Sequence, residues 1–165
     1  HFLRTDYPIN LLSISPKFSN SVPVLGVKTP QGAITDERMI KKHNSKRLNL
    51  DAISDSIMYH KDFHLKPVLD KELSMVGEVE EFVDKLCELL YEKGFGSPAD
   101  GVEVEPMKPS DIKKWIQGKI WAMPAGDTRL SLQESYPIVM DFVRDRGWRF
   151  TGRAHIMAFD TERCV

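Results

Sequence analysis

Leu11-Leu12-Ser13-Ile14-Ser15-Pro16-Lys17, near the amino end of the chain, joins a short apolar run to a Ser-Pro-Lys tripeptide. The apolar run predicts a buried strand from Asn10 to Ser15. Pro16 ends this strand, because proline restricts the residue before it and has no backbone N–H to donate. A buried strand that stops at a hydroxyl, a proline and a cation predicts one wall of a small-molecule site.

Beyond this stretch the sequence alternates between strand and helix patterns, which predicts an α/β fold with a parallel sheet. In such sheets ligands bind outside the carboxyl ends of the strands, so Ser15-Pro16-Lys17, the segment 123–126 and the final tail are expected at one edge. The further strands are predicted at 63–70, weakened by Pro67, at 102–106, at 119–124 and at 148–151, the last continued by 155–159. One helix is predicted to start near 35–38, and a second to cover 49–59 with Asn49 as its N-cap. A third is predicted at 79–90, with Glu78 and other acidic residues facing solvent, and a fourth at 110–117 with Ser110 as its cap. The last is predicted at 132–143, ending at Gly147, and Pro137 either kinks this helix or lies just inside its start.

The composition limits the classes of protein to which this chain can belong. The chain has 165 residues, 41% of them apolar, and a formal net charge of −1, so we expect a single domain over residues 1–165 with a sizeable core. The near-neutral charge favours neither nucleic acid nor an anionic membrane as partner, and no apolar run has the length of a membrane span. The two cysteines, Cys87 and Cys164, form no disulfide framework, which predicts a cytoplasmic protein.

Three segments, in this order, resemble 7-carboxy-7-deazaguanine synthase, a radical S-adenosylmethionine enzyme of queuosine and 7-deazapurine biosynthesis. They are Leu11-Leu12-Ser13-Ile14-Ser15-Pro16-Lys17-Phe18-Ser19-Asn20-Ser21, then Ile120-Trp121-Ala122-Met123-Pro124-Ala125-Gly126, then Trp148-Arg149-Phe150-Thr151-Gly152-Arg153-Ala154-His155-Ile156 running to Arg163-Cys164-Val165. The strand at 65–68 and the helix after it fit the same layout. The resemblance spans nearly the whole chain but covers only the carboxyl-terminal part of such an enzyme.

The resemblance implies part of an incomplete (β/α) barrel of the radical S-adenosylmethionine type. It also implies a carbon–nitrogen lyase that converts 6-carboxytetrahydropterin to 7-carboxy-7-deazaguanine, with S-adenosylmethionine, a [4Fe–4S] cluster and Mg²⁺ as cofactors, and a homodimeric assembly. The chain departs from the family pattern, because it has no CxxxCxxC motif for the cluster and no Mg²⁺ segment. We therefore expect the isolated chain to be inactive.

The resemblance also implies the site residues. Ser15, Pro16 and Lys17 would contact S-adenosylmethionine, with Lys17 attracting its carboxylate. His155 and the terminal carboxylate of Val165 would face the pterin substrate. The adenosine would be lined by Met123, Pro124, Ala125 and Gly126.

Other interpretations of the same residues stay open. Ser-Pro-Lys is common in turns, Met123-Pro124 can simply end a strand, and a single histidine on an apolar strand, such as His155, is often a hydrogen-bonded structural residue. His43, His60 and His64 are scattered among charges and are expected at the surface. The alternative to an enzyme is a non-catalytic, truncated α/β module that serves binding or assembly.

Overall fold

A computed structural model of the chain describes residues 9–29, 32–60, 62–96 and 107–160. The strand predicted at 102–106 and the predicted site residue Val165 lie outside these ranges. The strands are β1 (Leu12–Ile14), β2 (Phe63–Leu65), β3 (Val68–Leu69), β4 (Trp121–Pro124) and β5 (Arg149–Phe150). The helices are α1 (Glu37–Asn44), α2 (Leu50–His60), α3 (Val76–Glu92), α4 (Pro109–Gln117), α5 (Arg129–Arg146) and α6 (Ala154–Phe159).

The five strands of the described residues pair in parallel, as the alternation of strand and helix patterns predicts. β1 pairs with β2, and β3–β4–β5 form a second small sheet. Lys66-Pro67 interrupts the expected strand at 63–70, since proline donates no ladder hydrogen bond. A parallel bridge between Leu65 at the end of β2 and Ile120 just before β4 joins the two sheets. β2 and β3 therefore lie end to end as one interrupted strand between β1 and β4, and β5 lies on the other side of β4.

The side chains of the strands divide between two faces. The first, which we call the core face, carries Phe63, Leu65, Ile120 and Ala122, each at most 1% exposed. These residues share one apolar cluster with buried side chains of α2, α3, α4 and α5. The second, which we call the polar face, carries the alternate residues of the same strands, because successive side chains of a strand point to opposite sides.

Three helix starts follow from their capping residues. Asp36 Oδ1 accepts from the Met39 N–H at 2.7 Å, and Asn49 Oδ1 accepts from the Ala52 N–H at 3.0 Å, which confirms the predicted starts of α1 and α2. Thr128 and Ser131 form a reciprocal capping box at the start of α5.

The predicted cap of α4 is wrong. Ser110 lies inside the helix, Lys108 is the N-cap and Pro109 takes the first helical position. Proline favours this position because its fixed φ suits a helix and its missing N–H would have no helical partner there.

Pro137 lies well inside α5 rather than just inside its start, which corrects one of the two predicted alternatives. The helix begins at Arg129 because the capping box satisfies its first N–H groups, and buried Leu132, Val139 and Val143 hold it on both sides of the proline. Gly147 ends the helix with a positive φ of 66°, which is the conformation glycine adopts most readily.

The predicted continuation of the last strand through 155–159 is wrong, since these residues belong to α6. The Arg153 carbonyl accepts from the N–H groups of Ile156 and Met157, each at 3.1 Å, which closes a helical turn. A short apolar run has the same composition in a strand and in a helix, so its length alone does not distinguish them. Within the described residues, none of the helices has both the length and the apolar character needed to cross a membrane.

Candidate functional site

A cleft of about 430 Å³ lies at the carboxyl ends of β1, β3 and β4. We call it the edge cleft. Its volume is within the range of small-molecule sites in proteins. The residues that line it are Pro16, Lys17, Phe18, Asn20, Ser21, Val68, Asp70, Ala125, Gly126, Asp127 and Arg153.

The loop after β1 is fixed against the rest of the molecule. Phe18 is 1% exposed and its ring meets that of Phe82 edge-on, with 5.6 Å between the centroids. The Ser19 N–H donates to Glu78 Oε2 at 2.9 Å, and Asn20 Nδ2 donates to the Val68 carbonyl at 3.2 Å. These contacts hold the backbone of Pro16-Lys17 at the mouth of the cleft.

Glu78 is therefore not on the solvated face of its helix, as the charge pattern of α3 predicts. It is partly buried, and besides Ser19 it accepts from Arg47 Nη1 at 2.5 Å. Partial burial by itself raises the pKa of this carboxyl, but the hydrogen bonds from Arg47 and Ser19 outweigh it, so the pKa lies below its ordinary value. Glu78 stays ionised and holds the loop after β1.

The loop after β4 is fixed by α5 and by the segment before α6. Ser135 Oγ donates to the Ala125 carbonyl at 2.8 Å, and Arg153 Nη1 donates to the Gly126 carbonyl at 2.7 Å. Gly126 has φ of 153°, and a Cβ there would lie 2.8 Å from both Leu132 Cδ2 and Ser131 Oγ. Only glycine fits this close approach without displacing its neighbours.

Charges of both signs line the edge cleft. Lys17 and Arg153 supply positive charge, and Asp70 and Asp127 supply negative charge. Asp70 also accepts from the Ser74 N–H at 2.8 Å, which fixes its carboxylate in the turn before α3. A cleft with cations and carboxylates on its walls is suited to a zwitterionic or mixed-charge ligand.

Four of the seven residues predicted to bind the cofactor line this cleft, namely Pro16, Lys17, Ala125 and Gly126. The others lie nearby without lining it. Ser15 faces a neighbouring groove and its hydroxyl donates to the Lys66 carbonyl at 3.2 Å. Pro124 is buried beside Leu69, and Met123 Sδ accepts from Arg153 Nε at 3.3 Å.

Of the two residues predicted to face the substrate, the structure describes only His155. His155 is exposed on α6 and is not among the residues that line the edge cleft. Val165 lies outside the described residues.

Sequence reasoning missed Asn20, Asp70, Asp127 and Arg153. Asp70 ends the predicted strand 63–70 and Asp127 follows Gly126, so their position after strands was a usable signal. Arg153 carried no such signal, because the wrong strand prediction for 155–159 concealed that the chain turns there.

A row of aromatic and basic side chains crosses the polar face. Trp121 stacks on His64 with 4.4 Å between ring centroids, and the Arg149 guanidinium lies 5.2 Å from the centre of a Trp121 ring. Burial and the neighbouring cations, first Lys66, lower the pKa of His64, although Asp62 opposes them. His64 is half-buried and neutral near pH 7, so its predicted place at the open surface is wrong.

The described residues do not fit an iron–sulfur cluster or another bound metal. No group of three or more His, Cys, Asp or Glu side chains in this part of the chain could hold a metal ion. Cys87 is buried on α3, and burial raises the pKa of its thiol to about 11, which disfavours the thiolate that a cluster needs.

Residues that fit part of S-adenosylmethionine are present, since the edge cleft offers cations for a carboxylate and carboxylates for an amino group or a sulfonium.

Comparisons of the chain with protein-family models, with curated proteins and with solved structures found no match.

Proposed function

We propose that the edge cleft binds S-adenosylmethionine and that this chain is the carboxyl-terminal part of a 7-carboxy-7-deazaguanine synthase-like radical enzyme. One observation carries the proposal. Pro16-Lys17 and Ala125-Gly126, which the family resemblance singles out from distant parts of the sequence, line the same cleft.

The strand order also supports the proposal. If β2 and β3 are taken as one interrupted strand, the parallel strands follow one another in chain order with helices against one face, which is the arrangement of a (β/α) barrel segment. In barrels the ligand sits at the carboxyl ends of the strands, which is where the edge cleft lies.

The chain's own residues would divide the work of binding. Lys17 would attract the carboxylate of the amino-acid part of S-adenosylmethionine, and Asp127 would attract its positively charged amino group or sulfonium. Arg153 would act as a positioning residue, because it holds the Gly126 carbonyl and the Met123 sulfur. When bound, S-adenosylmethionine supplies the carbon–sulfur bond that reductive cleavage breaks, and the protein contributes alignment of cofactor and substrate.

The enzymatic part of the proposal requires cluster ligands from outside these 165 residues, because the sequence contains two cysteines and no CxxxCxxC motif. The substrate, a pterin carboxylate, and a homodimeric assembly are likewise taken from the resemblance. Cofactor binding is the part that the chain can be tested for directly.

Equilibrium dialysis of the chain against radiolabelled S-adenosylmethionine tests it. We expect saturable binding that Lys17→Ala weakens about tenfold, roughly one charge-assisted hydrogen bond. Lys114→Ala, an exposed lysine on α4, is the matched control and should bind as the parent does. An equal affinity of the Lys17 variant and the parent would remove Lys17 from the site.

The enzyme and the non-catalytic module differ in a second experiment. Anaerobic treatment with iron and sulfide should leave the 165-residue chain colourless and should give a brown protein once a CxxxCxxC segment is included. If the longer protein forms no cluster and binds S-adenosylmethionine without cleaving it, the radical-enzyme hypothesis is excluded and the non-catalytic binding module is the remaining explanation.

A further inference from the structure

Positive charge is concentrated in the first third of the chain. Residues 9–50 contain seven Lys or Arg and two acidic residues, whereas the whole chain has a net charge of −1. The near-neutral total therefore conceals a strongly basic segment followed by an acidic remainder. Such a segregated distribution indicates an electrostatic role for the basic part.

Part of this segment forms a groove of about 490 Å³ beside α1. We call it the basic groove. Lys17, Lys42, Lys46 and Arg47 supply its charged lining, and no acidic residue lines it. Like charges that converge in this way repel one another, and a bound anion would relieve that repulsion.

Several lysines elsewhere in the described chain are paired with carboxylates, whereas the lysines of the basic groove are not. Five other lysines each have a carboxylate oxygen within salt-bridge distance, namely Lys71, Lys85, Lys93, Lys113 and Lys119. Lys17, Lys42 and Lys46 have no such carboxylate among the described residues. The same lack of a carboxylate is found at other described lysines that do not line the groove, namely Lys28, Lys41, Lys66, Lys108 and Lys114. The groove is set apart because three lysines without a carboxylate converge on it.

The acidic residues at the start of α1, Asp36 and Glu37, form no salt bridge with these lysines. Asp36 Oδ1 caps the helix by accepting from the Met39 N–H at 2.7 Å. Arg47 is partly neutralised by Glu78, with 2.5 Å between Nη1 and Oε1. The excess positive charge of the groove therefore comes from its three lysines.

A histidine adds a directional group to this charge. His43 lines the groove, and its Nδ1 is shielded from solvent without a hydrogen-bond partner among the described residues. A buried polar atom without a partner is costly, so such an atom in a structure calls for an explanation. The His43 side chain as a whole is only partly buried and lines the groove, so rotation of its ring would let this nitrogen donate to a ligand oxygen.

The groove also has apolar surface. Met39 and Pro23 line it together with the lysine side chains, whose long stems are aliphatic. Inorganic anions gain nothing from such surface. An organic anion gains contact with it while its charged end meets the lysines.

We propose that the basic groove is a binding site for an organic phosphate, a small molecule with one or more phosphate groups. The lysines contact the phosphate oxygens, His43 donates from its ring nitrogen, and the apolar surface takes the organic part. Lysine and histidine are both suited to phosphate as point charges and donors. The site is distinct from the edge cleft, although Lys17 borders both.

Isothermal titration of the chain with uridine 5′-triphosphate, tripolyphosphate and uridine tests this proposal. The uridine series avoids the adenosine that is proposed for the edge cleft. We expect one saturable site for the triphosphate, weaker binding of tripolyphosphate, and none of uridine. High salt should weaken binding, because the contacts are between charges.

The variant Lys42→Glu with Lys46→Glu should bind uridine 5′-triphosphate at least about tenfold more weakly, as loss of two cation contacts implies. Lys108→Glu with Lys114→Glu makes the same change of charge at two exposed positions, the N-cap and the last turn of α4, and should bind normally. Circular dichroism melting of both variants shows whether they fold.

The proposal is overturned if no triphosphate binds, if uridine binds equally well, or if both double variants lose the same affinity. Binding of poly(U) or of phosphatidylserine vesicles in the absence of triphosphate binding would also overturn it, since the surface would then serve a macromolecule or a membrane. None of these outcomes depends on S-adenosylmethionine.

Discussion

The two faces of the sheet place very different chemistry on neighbouring residues. The Arg149 N–H donates to the Ile120 carbonyl at 2.9 Å, yet Ile120 is 1% exposed on the core face and Arg149 is exposed on the polar face. The core face is apolar and covered by helices, whereas the polar face carries the row of His64, Trp121 and Arg149. This difference indicates that stability resides on one side of the strands and that the other side is available for ligands.

The largest effect on stability is expected on the core face. Ile120→Ala should lower the free energy of unfolding by about 2 to 5 kcal/mol, because it removes buried methyl groups and leaves a cavity. Arg149→Ala, on the hydrogen-bonded neighbour, should cost less than about 1 kcal/mol, the range of an exposed cation–π contact. Urea unfolding of both variants measures the two values. Equal losses would contradict the division between the faces.

The edge cleft lies where the two faces meet, and Gly126 tests that boundary. Gly126→Ala should cost about 1 to 3 kcal/mol, because φ is positive and the new methyl group would strike Leu132 and Ser131. It should also weaken S-adenosylmethionine binding by moving the carbonyl that Arg153 holds.

Gly77→Ala in α3 is the control for this substitution. A Cβ at Gly77 meets no atom within 4 Å, so the change should leave the stability unchanged or raise it by up to about 1 kcal/mol. Unfolding curves together with dialysis of both variants give the comparison. A Gly126 variant that is as stable as the parent would mean that the loop after β4 is not constrained.

A smaller loss of stability is expected from substitutions at the contact between α3 and the loop after β1. Glu78→Gln keeps an acceptor for the Ser19 N–H but removes the charge that pairs with Arg47. The free energy of unfolding at pH 7 should fall by about 1 kcal/mol, the size of one hydrogen bond. The difference from the parent should shrink as the pH falls through the depressed pKa of Glu78, since the protonated acid has also lost its charge. A difference that is constant with pH would exclude the ion pair as its cause.

The smallest effect on stability is expected from the titration of His64 on the polar face. The pKa of His64 is lowered in the folded chain, so the unfolded chain takes up a proton first as the pH falls below about 6.5. The parent should therefore lose stability from this pH downward until the folded His64 is protonated too. His64→Gln should lose less between pH 7.5 and 5.5, as urea unfolding at the two values would measure. An unchanged loss in the variant would show that His64 contributes nothing to the pH dependence.

Local signals in the sequence predicted most of the helices and strands. Asp36 and Asn49 are capping residues whose side chains reach N–H groups three positions along, and the period of α3 follows from its buried Val79, Phe82, Val83 and Leu86. Predictions failed where the same residues suit two conformations. The apolar run 155–159 has no alternation that would separate a strand from a helix. It forms α6, whose first turn is closed by hydrogen bonds to the Arg153 carbonyl.

The candidate site was only partly predictable for the same reason. The position of Pro16 and Gly126 after predicted strands placed them at one edge of the sheet, and the family resemblance implied their role in binding. The contribution of Arg153 depends on where its guanidinium lies relative to the Gly126 carbonyl, and nothing local to residue 153 specifies that. Glu78 likewise has the sequence context of a solvated residue, although it binds the loop after β1.

The amino-acid sequence by itself determined the α/β character, the parallel strands and the position of the loops after β1 and β4. These features depend on periodicity and on the backbone preferences of proline, glycine and capping residues, which act over a few positions. Only the tertiary structure decided which loops share a cleft, which glutamate is drawn into an ion pair and which lysines stay without a carboxylate. Those outcomes depend on distances between residues far apart in the chain, and such distances are set only when the apolar side chains of the core face pack against the helices.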